Sequence, residues 1–228
     1  MRTILDVDIW SDVVCPWCYI GKVRFERAVA EVADDIEVRW VFRPYQLDPR
    51  APLGVTTPVI EAYAKKFGGP ERARQIIDHL TAVAAAEGIE LRMDRALRAN
   101  TLLAHRLLWV AGATEHQHAL KDRLLRAYFE DGLDVGDPDV LARCAGEVGM
   151  DESRARAFLD SDDGSEEVRA SMAAAADHEI TGVPTYVIGS PDSGPLWMVP
   201  GAQDSDVFVR VLRRAADRLA AAHQASGG

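Results

Sequence analysis

Apolar and polar residues alternate from Ile4 to Trp10, with Ile4, Val7 and Ile9 set among Asp6 and Asp8. That period of two predicts a strand. From Ile20 the period lengthens: Ile20, Val23, Phe25, Ala28, Val29 and Val32 recur at helical spacing with charged residues between them. Alternation returns at Ile36 to Phe42 (Ile36, Val38, Trp40, Phe42), which reads as a second strand closed by Arg43-Pro44-Tyr45. Residues Asp48 to Pro58 hold three of the eleven prolines and a glycine, the clearest linker in the chain. A first domain boundary is placed there.

From Pro58 to about Ser161 the pattern is almost wholly helical. Pro58 to Phe67 forms a short helix closed by Gly68-Gly69, and Pro70 opens another on Ile76, Ile77, Leu80, Val83 and Ala84 that stops at Gly88. Leu91 to Asn100 fits neither period. Thr101 to Val110, Thr114 to Phe129, the segment after Asp137-Pro138 and Asp151 to Leu159 each carry an apolar stripe at helical spacing. Asp137 suits an N-cap, with Pro138 at the first helical position. No fixed-period repeat runs through the segment, which favours an inserted helical subdomain over a solenoid.

Gly164 to Ile180 is a further helix, rich in alanine. A strand follows Pro184, then a turn across 190–194, a short strand from Leu196 to Val199, and a last helix from near Asp204 that places Phe208, Val211, Leu212, Ala215 and Leu219 on one face. The order is β–α–β, helical insertion, α–β–β–α. The expected fold class is α/β, with residues 1–57 and 162–228 forming one domain and 58–161 an all-helical insertion.

The chemistry lies where the first strand turns into the first helix, at Cys15-Pro16-Trp17-Cys18. Pro16 suits the first helical position, where a missing N–H costs nothing. Cys15 then occupies the N-cap, facing the positive helix end, a setting that favours thiolate over thiol. Cys18 lies one turn on, on the same face. Cys15 is therefore expected to be the exposed, low-pKa sulfur and Cys18 the shielded one. A structural zinc site needs two more ligands. The one other cysteine is Cys144, on the apolar face of its helix, and His116-Gln117-His118 lacks ligand spacing. Cys144 is read as a small core hydrophobe. Near the other end, Thr181-Gly182-Val183-Pro184-Thr185 leads into the apolar strand, and proline there suits a strand's first residue.

Taken together, the strand–Cys-Pro-Trp-Cys–helix and the Gly-Val-Pro-Thr strand resemble the thioredoxin superfamily. The resemblance extends to the DsbA family and its FrnE-like branch, through Asp8 to Cys18, Phe42-Arg43-Pro44, Asn100-Thr101, Ala104-His105-Arg106, Val183-Pro184-Thr185 and Gly201-Ala202-Gln203. It implies a thioredoxin fold with a helical insertion, a cis Val183–Pro184 bond facing the cysteine pair, and a thiol-disulfide oxidoreductase acting through Cys15 and Cys18. It implies catalytic roles for Cys15, Cys18 and Pro184, and substrate contacts from Pro16, Trp17, Val183, Thr185 and Asn100, with Trp17 exposed at the helix tip. Read without the resemblance, Asn100 and Thr101 are a helix N-cap and His105 a surface histidine. No bound cofactor is implied beyond the Cys15–Cys18 disulfide, and glutathione can serve as co-substrate. DsbA has Pro-His between its cysteines where this chain has Pro16-Trp17. Without a histidinium the Cys15 pKa is expected above the ~3.5 of DsbA, and the potential between roughly -270 and -120 mV. The kappa-class glutathione transferases and 2-hydroxychromene-2-carboxylate isomerases share this topology but use a serine, which makes them the alternative reading.

Composition narrows the partners. The net charge of -10 argues against nucleic acid, whose binding needs basic surface. No apolar run approaches the ~20 residues that span a bilayer, and acidic Asp6 falls where a signal peptide needs an apolar core. The expectation is a cytoplasmic protein, monomer or homodimer, exchanging with protein or small-molecule thiols and disulfides. In that compartment a Cys-x-x-Cys pair is usually catalytic or redox-sensing.

Overall fold

A computed structural model describes residues 2–191 and 194–226, so the tip of the expected 190–194 turn lies outside the described residues. Its main sheet has four strands: β1 (Thr3–Ser11), β2 (Ile36–Pro44), β5 (Thr185–Ser190) and β6 (Gly194–Pro200), in the order β2-β1-β5-β6. β1 and β2 run parallel in the register Thr3↔Ile36 to Ser11↔Pro44, joined by the crossover helix α1 (Pro16–Val32). β5 pairs antiparallel with both β1 and β6, the hairpin expected from the sequence. α9 (Ser205–Ser226) packs back on α1 and β1. This is the α/β thioredoxin arrangement with a helical insertion of DsbA type.

The insertion holds α2 (Val59–Phe67), α3 (Pro70–Ala86), α4 (Leu102–Gly112), α5 (Gln117–Phe129), α6 (Pro138–Glu147) and α7 (Glu152–Asp160), and α8 (Ser165–Asp177) returns the chain to the sheet. Several ends follow the punctuation of the sequence. Gly68 closes α2 in the left-handed region with φ 89°, and the Asp137 side chain caps α6 by accepting from the Asp139 amide. The insertion is not purely helical. Thr57–Pro58 (β3) pairs antiparallel with Leu97–Arg98 (β4), and the Val59 amide donates to Ala96 at 2.9 Å. The ladder straddles the expected 57/58 boundary and explains why residues 91–100 fitted no period: two residues cannot display one. Asp48 reinforces it by accepting from Arg98 Nη2 at 2.6 Å.

Two apolar cores meet on α1. One face sends Phe25, Ala28 and Val32 into the sheet core with Leu5, Ile9, Tyr186 and Phe208. The other sends Tyr19 and Ile20 into the insertion core with Leu107, Leu124 and Phe129. Both flanks of the helix are thus fixed by non-directional apolar burial, and its N-terminus is held where sheet and insertion meet. Cys144 is 1 % exposed within α6, where burial pushes its thiol pKa up.

Candidate active site

The chain enters α1 as the sequence predicts. Cys15 is the N-cap in extended conformation, Pro16 is the first helical residue, and the Cys15 carbonyl accepts from Cys18 N at 3.0 Å. Both cysteines are free thiols. Facing them is the loop before β5, where the Val183–Pro184 bond is cis and the Cys15 thiol donates to the Val183 carbonyl at 3.6 Å. That loop is itself pinned: Thr185 Oγ1 donates to Gly182 O at 2.7 Å, and Gly201 N donates to Pro184 O at 2.8 Å. α1 approaches it so closely that a Cβ on Gly21 would stand 2.6 Å from Tyr186 Oη and 3.0 Å from Pro184 Cγ. Arg24 adds a polar tie, donating to Ala202 O at 2.9 Å and to Glu87 at 2.6 Å.

Cys15 is 4 % exposed and Cys18 2 %, so the expected contrast between an open and a shielded sulfur is corrected: both are buried. The cause is cover from the cis-proline loop and from the insertion. Two thiols this close ionise as a pair. The Cys18 sulfur beside it, then burial, push Cys15 well above its ordinary value. Burial also opposes ionisation of Cys18, but the Cys15 thiol, Lys121, Ser11 and the Asp12 amide outweigh it and hold Cys18 below the ordinary value. Both directions run against the expected assignment, because a cation and a backbone donor act on Cys18 while Cys15 faces a carbonyl.

Trp17 is half-buried. Its ring leans on His79 of α3 with centroids 6.3 Å apart, a correction to the free aromatic expected at the helix tip. Pro16 and Val14 line a cavity of about 530 Å³ together with Tyr63 and Phe67, and Lys66 and Arg98 stand at it too. Burial and then the Cys15 charge push Tyr63 up to about 12. Asn100 is engaged elsewhere: its Nδ2 donates to Ala51 O at 2.7 Å, and its Oδ1 accepts from Leu102 N and Gln46 Nε2. It clasps the linker loop.

Three polar residues behind the pair had no role assigned from the sequence. Asp12 is fully buried; Oδ1 accepts from Val13 N at 2.8 Å and faces His105 Nε2 at 3.2 Å, and Oδ2 accepts from Leu47 N at 2.8 Å. Burial alone would raise its pKa, but His105, the Leu47 amide and Lys121 hold it below the usual carboxylate value. His105, read as a surface residue, is 2 % exposed. Lys121 is fully buried, and desolvation lowers its pKa against the pull of Cys18, Asp12 and Cys15. The motif around Ala104-His105-Arg106 was the available signal for His105. Lys121 carried none, because a lysine between apolar helical positions reads as solvated surface.

A family model for the DSBA-like thioredoxin domain matches residues 6–213. A probable DsbA oxidoreductase of Streptomyces coelicolor is 36 % identical, with a TM-score of 0.85 over 92 % of this chain and 89 % of that one. A 2-hydroxychromene-2-carboxylate isomerase is 18 % identical with a TM-score of 0.66 over 96 % and 98 % of the two chains. The cytosolic disulfide reductase DsbM of Pseudomonas aeruginosa, solved with glutathione, is 16 % identical with a TM-score of 0.57 over 96 % and 99 %. At those identities the last two show the fold alone. Among the described residues no helix is long and apolar enough to cross a membrane. With its cysteine pair at the tip of α1, opposite the loop before β5, this chain belongs to the family of DSBA-like thioredoxin domains.

Proposed function

We propose that the protein is a thiol-disulfide oxidoreductase in which Cys15 forms a mixed disulfide with substrate and Cys18 resolves it. The observation that carries this reading is the pair itself: two free thiols one helical turn apart, interacting with each other and enclosed by the loop bearing Pro184. Val14 and Pro16, on either side of Cys15, line the cavity, which supports Cys15 as the sulfur that takes the substrate. As Cys15 attacks one sulfur of R–S–S–R′, its proton passes by way of Cys18 to the leaving sulfur, which departs as R′–SH. The Cys18 thiolate then attacks the Cys15 sulfur, closes the internal disulfide and expels R–S⁻. Run backwards, the same steps oxidise a dithiol. No other bound group is needed, because the electrons reside in the two cysteines. The mostly apolar cavity, with Lys65 and Lys66 at it and Arg98 paired to Asp48, suits a thiol or disulfide that carries carboxylates, glutathione among them. Val183 and Thr185 frame the substrate sulfur through their backbone, and Trp17 forms one flank.

Cys18→Ala tests the reading. The mixed disulfide at Cys15 then has no internal escape, so adducts accumulate and can be identified by intact mass after exposure to glutathione disulfide. Reduction of insulin by a dithiol is expected to fall to background in Cys18→Ala and Cys15→Ala alike, with Cys144→Ala active. Full activity in Cys18→Ala without any trapped adduct would overturn the proposal in favour of glutathione-dependent isomerisation, which needs no second thiol.

A further inference from the structure

Lys121 is a charged residue near the pair that the exchange steps leave unused. Gln117 fixes its place: Gln117 Oε1 accepts from Phe42 N at 2.9 Å and its Nε2 donates to Phe42 O at 3.1 Å, docking α5 on the edge strand β2. One turn on, Lys121 passes over the Phe42 ring, its Nζ 5.4 Å from the centroid. It is fully buried, and Nζ has no hydrogen-bond partner in the protein. A buried ammonium without a partner is strongly disfavoured, and an aliphatic side chain would fill the same space.

Asp12 does not account for it. That carboxylate is already served by Val13, Leu47 and His105 and forms no ion pair with Lys121 within 4 Å. The ionisable groups that pull on Lys121 against its desolvation are Cys18 first, then Asp12 and Cys15, with Lys22 opposing. Ser11 is a second sign. Its buried Oγ also lacks a hydrogen bond of ordinary geometry and lies on the Cys18 side, and Ser11, Lys121 and His105 line one cavity of about 380 Å³ behind the pair. In the disulfide state Cys18 bears no charge. A thiolate formed at Cys18 on reduction would give the buried cation a partner of opposite charge.

We infer that Lys121, carried by the helical insertion, is the internal counter-charge of Cys18: it stabilises the reduced pair, makes the disulfide more oxidising and readies Cys18 for resolution. The inference rests on the oxidoreductase reading. Lys121 acts through Cys18 and is a positioning residue. The equilibrium is disulfide plus two glutathione giving dithiol plus glutathione disulfide; the two electrons come from the glutathione sulfurs, and the Cys18 proton is released when that sulfur stays ionised.

The test is this equilibrium in wild type, Lys121→Met and Asp12→Asn, read by quantitative alkylation of free thiols. Loss of the ammonium is expected to shift the constant roughly tenfold towards disulfide, about 30 mV. Asp12→Asn removes a negative neighbour and shifts it the other way, whereas a general packing defect would move both variants alike. In a Cys15→Ala, Cys144→Ala background, thiolate absorbance near 240 nm isolates Cys18, and its titration midpoint is expected to rise with Lys121→Met. Should Lys121→Met not fold, Lys121→Arg keeps the charge and is expected to match wild type, while Asp12→Asn still reports the sign. A Lys121→Met protein that tracks wild type in both measurements overturns the inference, as does an Asp12→Asn shift towards disulfide. Failure of the wild-type protein to form a Cys15–Cys18 disulfide at all would instead overturn the oxidoreductase reading.

Discussion

At the scale of single residues, Asp12 shows how a site is built from groups the sequence does not advertise. Its carboxylate gathers amides from Val13 and Leu47 and the ring of His105, so one side chain ties the end of β1, the linker loop and α4 together behind the cysteines. A buried acid with such partners is far costlier to lose than an exposed one: Asp12→Ala is expected to destabilise by about 1–3 kcal/mol for the hydrogen bonds left unmade. Because the folded carboxyl titrates below its ordinary 3.8, the ionised form contributes stability above that pH, and the contribution fades as pH falls through the folded-state value. Urea unfolding of wild type and Asp12→Ala at neutral pH and near pH 3 checks this, and a gap that does not narrow in acid would contradict it. The sequence displayed Cys15, Cys18 and Pro184 because cysteine pairs and proline punctuate a chain. It hid Asp12, His105 and Lys121, since a polar residue becomes legible as buried only when its partners, here 93 residues apart for Asp12 and His105, are brought together.

At the scale of elements, α1 was legible almost to its ends, and for a physical reason. Proline at the first helical position, an extended cap before it and a two-sided apolar stripe after it are all local signals. The short ladder β3–β4 and the leaning Trp17 were not, since both depend on what the insertion places beside them. The closeness of α1 to the loop before β5 turns on Gly21. An added methyl there would meet Tyr186 Oη, Pro184 Cγ and Ala202 Cβ at 2.6, 3.0 and 3.2 Å. Tyr186 is wholly buried and Pro184 is pinned through its carbonyl, so neither can yield cheaply. Gly21→Ala is expected to cost about 1–3 kcal/mol by overpacking and to push the helix tip away from the loop, slowing disulfide exchange more than the same loss of stability elsewhere. Comparing its exchange rate with that of Cys144→Ala, which opens a cavity remote from the loop, separates the two effects. Equal rates at matched stability would show that the Gly21 contact does not position the pair.

At the scale of the whole molecule, the question is how a helical insertion stays in register with the sheet it interrupts. α4 supplies the connection from adjacent residues. His105 reaches the sheet side through Asp12, while Arg106 turns the other way and donates to the carbonyls of Phe158, Ser161 and Asp163, closing the end of α7 and the turn into α8. Arg106 is 3 % exposed and its guanidinium stacks over the Phe158 ring at 5.1 Å. Its planar fork can serve several carbonyls at once, which a single ammonium cannot. The chain leaves the insertion at this point, so the clasp governs how firmly α8 and the following loop with Pro184 are held. Arg106→Lys is expected to lose a few kcal/mol, since buried carbonyls lose their donors, and the loss should be local first. Hydrogen exchange followed by mass spectrometry should show faster exchange across residues 158–168 before the sheet strands β1 and β5 change, with disulfide exchange slowed because the far wall of the site is less firmly placed. Uniform acceleration over the whole chain would mean that Arg106 supports global stability alone, and that sheet and insertion are coupled through the apolar contacts of α1.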